Sequence, residues 1–232
     1  MGVSGIPGAS GNTAEATLEA AASAPRRTLN SLLWAVLIPV VSTAAGFLAQ
    51  YPYGLWAGVV IALGATAAAA IVAGGMWNRA GAATLASFAT LALALFGGPT
   101  LYETYVKTFG ERVDALVADT GQRVNAKGTK LDVCRVVDTT GRAQDVSEQQ
   151  NCHGQFKPEQ HVILFNDPLG GLDPWVEATG DRTLDPVGPA CTGGLFALTG
   201  GALFYAGQRR RTDRDMALRQ RRGYGAPHRS EP

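Results

Sequence analysis

Apolar residues run almost unbroken through four stretches of the chain, 31–49, 54–76, 81–98 and 187–207. Each is close to the ~20 residues a helix needs to cross a hydrocarbon core of about 30 Å. A helix also satisfies its own backbone N–H and C=O groups, which hydrocarbon cannot do. The pattern predicts a membrane protein with four transmembrane α-helices. Between the third and fourth stretches the periodicity changes to short alternating and β-branched runs divided by turn residues, which predicts a small β-rich domain over 99–186.

Within that domain the best strands are Arg112–Ala118, Leu131–Val137 and His161–Phe165, with a poorer one at Ala143–Ser147. Asp138–Arg142 reads as a hairpin turn and Gly121–Thr129 as a loop. Asn166–Gly171 (NDPLGG) joins an Asx residue, Pro and Gly, a strong turn signal. Tyr102, Tyr105, Val106, Phe109, Val113 and Leu116 would share one face of a helix, so helix or turn is expected up to about Phe109 and strand afterwards.

The apolar stretches have their own internal signals. Pro39 lies near the centre of the first and predicts a kink. The link 50–53 is so short that the first two helices must be antiparallel neighbours. Trp34, Tyr51, Tyr53 and Trp56 fall near span ends, where amphipathic rings favour the headgroup layer. Small residues recur every four positions at Ala65, Ala69 and Ala73, and again at Gly193, Ala197 and Gly201. Such stripes allow close helix approach, within one bundle or across a dimer seam.

Charge sets the orientation. Arg26 and Arg27 precede the first span, Arg79 lies between the second and third, and eight arginines follow the fourth; the 50–53 link has no basic residue. By the positive-inside rule both termini are cytoplasmic and 99–186 is extracytoplasmic. That segment holds nine Lys/Arg against 14 Asp/Glu, whereas 208–232 holds eight Arg against three acids. Arg209, Arg210, Arg211, Arg214, Arg219, Arg221 and Arg222 are therefore topology-fixing residues and candidates for contact with anionic lipid. Residues 1–30 read as a disordered arm, with a weak helix over Thr13–Ala24 and no cleaved leader. A net charge of +1, with no basic face spread over a folded surface, gives no case for nucleic acid.

Chemistry-bearing residues are sparse. Cys134 and Cys152 share the outer segment, 18 positions apart, and are the one pair suited to a disulfide; Cys191 lies inside the last apolar stretch. His153 and His161, with Asp167 or Asp173, are the nearest approach to a metal set, but their spacing matches no metal motif. There is no G-x-S-x-G, Ser147 is the only serine in the outer segment, and the four stretches contain no Asp, Glu, His or Lys. No catalytic residue, metal or cofactor is assigned, and proton- or ion-coupled transport is disfavoured.

The succession GERVDALV, LDVCRVVD and EQHVILFNDPLGGLDP just before the final span resembles a group of poorly characterised actinobacterial multi-pass membrane proteins. The resemblance covers roughly 110–207 and implies a small β-rich extracytoplasmic domain before the last transmembrane helix, with no enzyme activity or cofactor. The abundance of Ala, Gly and Arg also suits a GC-rich bacterial genome. The expected protein is a multi-pass resident of the bacterial plasma membrane. It presents a non-catalytic interaction or sensing domain to a cell-envelope protein or glycan partner. The alternative is an accessory subunit of a transport or secretion assembly, acting through its helices.

Overall fold

In the computed structural model, residues 11–124, 128–179 and 186–210 are described, with side chains from residue 26 onward. Four helices are long and apolar enough to cross a membrane, at Arg26–Leu48, Leu55–Met76, Ala80–Phe109 and Val187–Gln208. We call the full elements α1 (Gly11–Leu48), α2 (Leu55–Ala70, continued as a π-helical turn over Ile71–Met76), α3 (Ala80–Phe109) and α4 (Val187–Gln208). Between α3 and α4 lie β1 (Glu111–Val124), β2 (Lys130–Asp138), β3 (Ala143–Ser147), β4 (His161–Asn166) and β5 (Trp175–Ala178).

Several boundaries differ from the sequence reading. α1 begins at Gly11, so the weak helix expected near Thr13 runs on into the first span. α3 does not stop at Gly98; it passes through Pro99 and ends at Phe109, where the shared face of Tyr102, Tyr105, Val106 and Phe109 runs out. β1 extends through Gly121–Val124, which had been read as loop, because Gly121–Val124 pair with Lys130–Val133 of β2. β5 was not foreseen: its four residues, just after Pro174, are too few for a period-2 pattern to show.

The chain forms two compact units, each described here by itself. The first is built from α1 up to Val41, from 64–90, and from α4 beyond Phe196. Its core packs Ala35, Ile38, Ala69, Val72, Ala73, Trp77, Ala86 and Leu203. The Ala65–Ala69–Ala73 stripe is buried, so it serves packing within the chain. Gly193 and Gly201 of the α4 stripe have nothing within 4 Å of a notional Cβ. Small residues that the sequence reading did not single out matter more. A Cβ on Gly207 would overlap Ser31, and one on Gly200 would lie 2.8 Å from the Ala35 carbonyl oxygen.

The second unit holds residues 42–63 and 91–195, and with them the sheet. Here α1 and α3 meet at glycines: a Cβ on Gly46 would overlap the Ala94 carbonyl, and one on Gly98 would overlap that of Gly46. The sheet is antiparallel throughout, in the order β3-β2-β1-β4-β5, so the strand that follows α3 is its centre. The β1–β2 register shifts between Val117 and Asp119, a bulge at Ala118.

Alternation sends Ala115, Val117, Cys134, Val136, Val146, Val162, Leu164 and Val176 to one face, covered by Phe156 and Cys152 of the 148–160 connection. The opposite face carries Ile163 and Phe165, which pack with Tyr102 and Val106 of α3 and with Leu172. One strand thus feeds two cores, and β4 is buried at four consecutive positions, Val162–Phe165.

Candidate functional site

The residues of greatest structural consequence lie where the last turns of α3 meet the sheet. The 166–171 turn is built on Asp167, whose carboxylate accepts the backbone N–H groups of Leu169, Gly171 and Leu172 at 2.9–3.1 Å. The Tyr105 hydroxyl of α3 donates to the same carboxylate at 3.1 Å. Burial raises the pKa of Asp167, but these four donors favour the charged form more, and the net displacement is downward. Asp167 is thus a turn organiser that also latches onto α3, with its oxygens engaged by the chain's own donors.

Neighbouring contacts extend the latch. Tyr102 donates its hydroxyl to the Asp173 carbonyl at 2.7 Å, and its ring meets Trp175 edge-on at 5.5 Å. Phe47 of α1 packs edge-on against both Tyr51 and Tyr105. A Cβ on Gly171 would press on the Tyr51 ring at 2.9 Å, so the α1–α2 link lies against the same turn. Trp175 is half-buried and packs against this cluster, with its indole N–H buried and unpartnered.

In the same junction, Lys107 of α3 bridges Glu103, one helical turn back, at 2.7 Å and Glu177 of β5 at 2.6 Å. The Lys107 and Glu177 side chains are only 8% and 9% exposed, so the pair is largely desolvated. Sequence reasoning missed it: the i, i+4 pair was visible, but nothing local links position 107 to position 177.

Cys134 of β2 and Cys152 lie at disulfide distance, with Cα atoms 6.0 Å apart, as their shared location predicted. The bond joins the sheet to its covering connection, which starts from a Ser147/Gln150 capping box and turns through Asn151 at φ 70°. Cys191 is free and exposed on α4.

His153 is exposed in the covering connection and His161 is exposed at the start of β4. Asp173 bonds Gln150, and Asp167 is engaged as above, so these four residues do not form one ligand set. Among the described residues no group of three or more His, Cys, Asp or Glu is placed to hold a metal ion. The Ser147 hydroxyl is bonded to the Gln150 side-chain oxygen.

His161 instead lines an open groove of about 370 Å³, with Asp114, Leu116, Val137, Thr139 and Thr179. Its lining joins apolar residues to two threonines, the two carboxylates of Asp114 and Asp138, and an imidazole, and Thr179 is fixed by its hydrogen bond to the His161 carbonyl. A shallow surface with a few convergent polar groups beside apolar residues suits recognition of a polar partner.

Arg209 and Arg210 lie at the end of α4, where each stacks on an aromatic ring, Tyr205 and Trp77 respectively. Arg211, Arg214, Arg219, Arg221 and Arg222, also read as topology and lipid-contact residues, lie outside the described residues. No family model matches this chain, and no curated protein or solved structure matches it either.

Proposed function

We propose that this protein resides in the bacterial plasma membrane with both termini cytoplasmic, and presents its sheet outside as a non-catalytic interaction or sensing domain. The observation that carries the reading is the latch between sheet and helix. Tyr102, Tyr105 and Lys107 of a membrane-length helix are bonded to Asp173, Asp167 and Glu177 of the sheet domain. A partner that loads the sheet therefore acts directly on α3. The arginines that flank the first span, the 77–79 turn and the end of α4 support the orientation. The groove beside His161 is the proposed contact surface, and an envelope protein or glycan is its partner class.

The test is photo-crosslinking in intact cells of the full-length protein, with a reactive residue at Asp114 in the groove or at Phe88 on the exposed face of α3. Capture of an envelope protein or glycan from Asp114, weakened by His161→Ala and unaffected by His153→Ala, is the expected result. Capture only from Phe88, of transport or secretion subunits, would overturn it in favour of the accessory-subunit reading.

A further inference from the structure

The first unit ends in a cluster of arginines drawn from three segments. Arg79 donates its Nε–H to the Arg209 carbonyl at 2.6 Å. Arg210 donates to the carbonyls of Gly207 and Arg27 at 3.0 and 3.3 Å, and to the Ser31 hydroxyl at 3.3 Å. These bonds satisfy terminal carbonyls of α4 and tie Arg27, Arg79, Arg209 and Arg210 through one another's backbones.

The placement of Arg79 has a specific cause. The π-helical turn widens the end of α2, with Trp77 N–H reaching back to Val72 and Arg79 N–H to Ala73. Asn78 then turns the chain with φ 53°, the left-handed region. Trp77, 1% exposed, becomes the floor on which Arg210 stacks at 5.3 Å. π-Turns of this kind recur at functional sites.

Among the described residues, the cluster has no counter-charge. Of this unit's residues with described side chains, five are arginines (Arg26, Arg27, Arg79, Arg209 and Arg210) and none is acidic. Burial, and then the like charge of Arg27, lowers the pKa of Arg210. Each guanidinium has five N–H donors, and the carbonyl bonds above use only some of them. Planar forks at the end of membrane-length helices, over a buried indole, match a phosphodiester held at headgroup depth.

We propose that Arg27, Arg79, Arg209 and Arg210 form a discrete site for the phosphodiester headgroup of an anionic phospholipid. Arg79 and Arg210 are oriented by their carbonyl bonds, and Arg27 and Arg209 supply the remaining charge. The site is a property of the folded helix ends and does not require the tail arginines beyond Arg210.

The test uses the full-length protein in phosphatidylcholine nanodiscs with or without phosphatidylglycerol, and retained lipid is counted by native mass spectrometry after detergent exchange. Selective retention of phosphatidylglycerol is expected. An Arg79→Gln/Arg210→Gln variant should lower it roughly tenfold or more, since each basic residue at the surface is worth ~1 kcal/mol. A variant with Arg214, Arg219, Arg221 and Arg222 all changed to Gln should retain it. If the double variant fails to fold, Arg209→Gln removes a guanidinium that stacks on Tyr205, and about a fivefold loss is expected. Equal retention of phosphatidylcholine, an equal loss in the tail variant, or full displacement by millimolar inorganic phosphate would each overturn the proposal.

Discussion

Lys107 and Glu177 meet at 2.6 Å across the helix–sheet junction, 70 positions apart in the chain and both nearly excluded from solvent. Glu103 shares the same ammonium at 2.7 Å, so one cation serves two carboxylates. The three members should not respond alike to substitution. Lys107→Met strands two carboxylates and should cost about 3–5 kcal/mol, the usual penalty for an orphaned buried charge. Glu177→Gln leaves Lys107 its Glu103 partner and should cost less. Thermal denaturation of the purified protein, followed by tryptophan emission, orders the two; equal losses would refute the triad.

Asp167 gives a pH signature. Its carboxyl is held below the ordinary carboxylate range, so its contribution is complete above an unfolded pKa of about 3.9 and is lost as pH falls through the lower folded value. Asp138, half-buried and bonded by Thr140 and Arg142, is displaced the same way. Stability should be flat from neutrality to about pH 5 and should fall below about pH 4. Asp167→Asn should lower the melting temperature at pH 7 and shrink the acid-induced drop. An unchanged acid limb in that variant would count against the latch.

The Cys134–Cys152 bond should appear as a single crosslinked peptide pair when the unreduced protein is digested and mapped, with Cys191 recovered as a free thiol. Closing a loop of this length is worth ~3 kcal/mol in the chain-entropy model. Reduction should therefore lower the melting temperature of the sheet.

Orientation is tested with single cysteines in a Cys191→Ala background. Ala118→Cys, exposed at the β1 bulge, should react with an impermeant maleimide added to intact cells. Gly225→Cys should react only after permeabilisation. Labelling of both from the same side would remove the four-span topology.

What could be read from sequence was whatever rests on neighbours along the chain. Spans of about 20 apolar residues announce themselves, and the NDPLGG turn and the hairpin at Asp138 are local chemistry. The helix face from Tyr102 to Phe109 was visible too, but the third apolar stretch, bounded at 98, gave no sign that one helix runs through to Phe109. Gly46 and Gly98 could not be ranked above any other small residue, because their value depends on which helix crosses opposite them. The groove at His161 draws on β1, β2 and β4, and the arginine cluster on α1, the 77–79 turn and α4. Such groupings exist only once the topology is known.

The central position of β1 dictates the order in which the sheet can assemble. β1, β2 and β3 are successive neighbours, so that half closes short loops as soon as Ser147 has been synthesised. The other half must wait for β4 to return to β1 and for β5 to add Glu177 at the far edge. Until then Lys107 has Glu103 but not Glu177, and Asp167 has no turn to organise. The Cys134–Cys152 bond, both of whose partners precede β4, can close on the half-built sheet, whereas the Lys107–Glu177 lock comes last. A nascent chain truncated after residue 158 should already form that bond, and would be the species to trap for watching the domain mature.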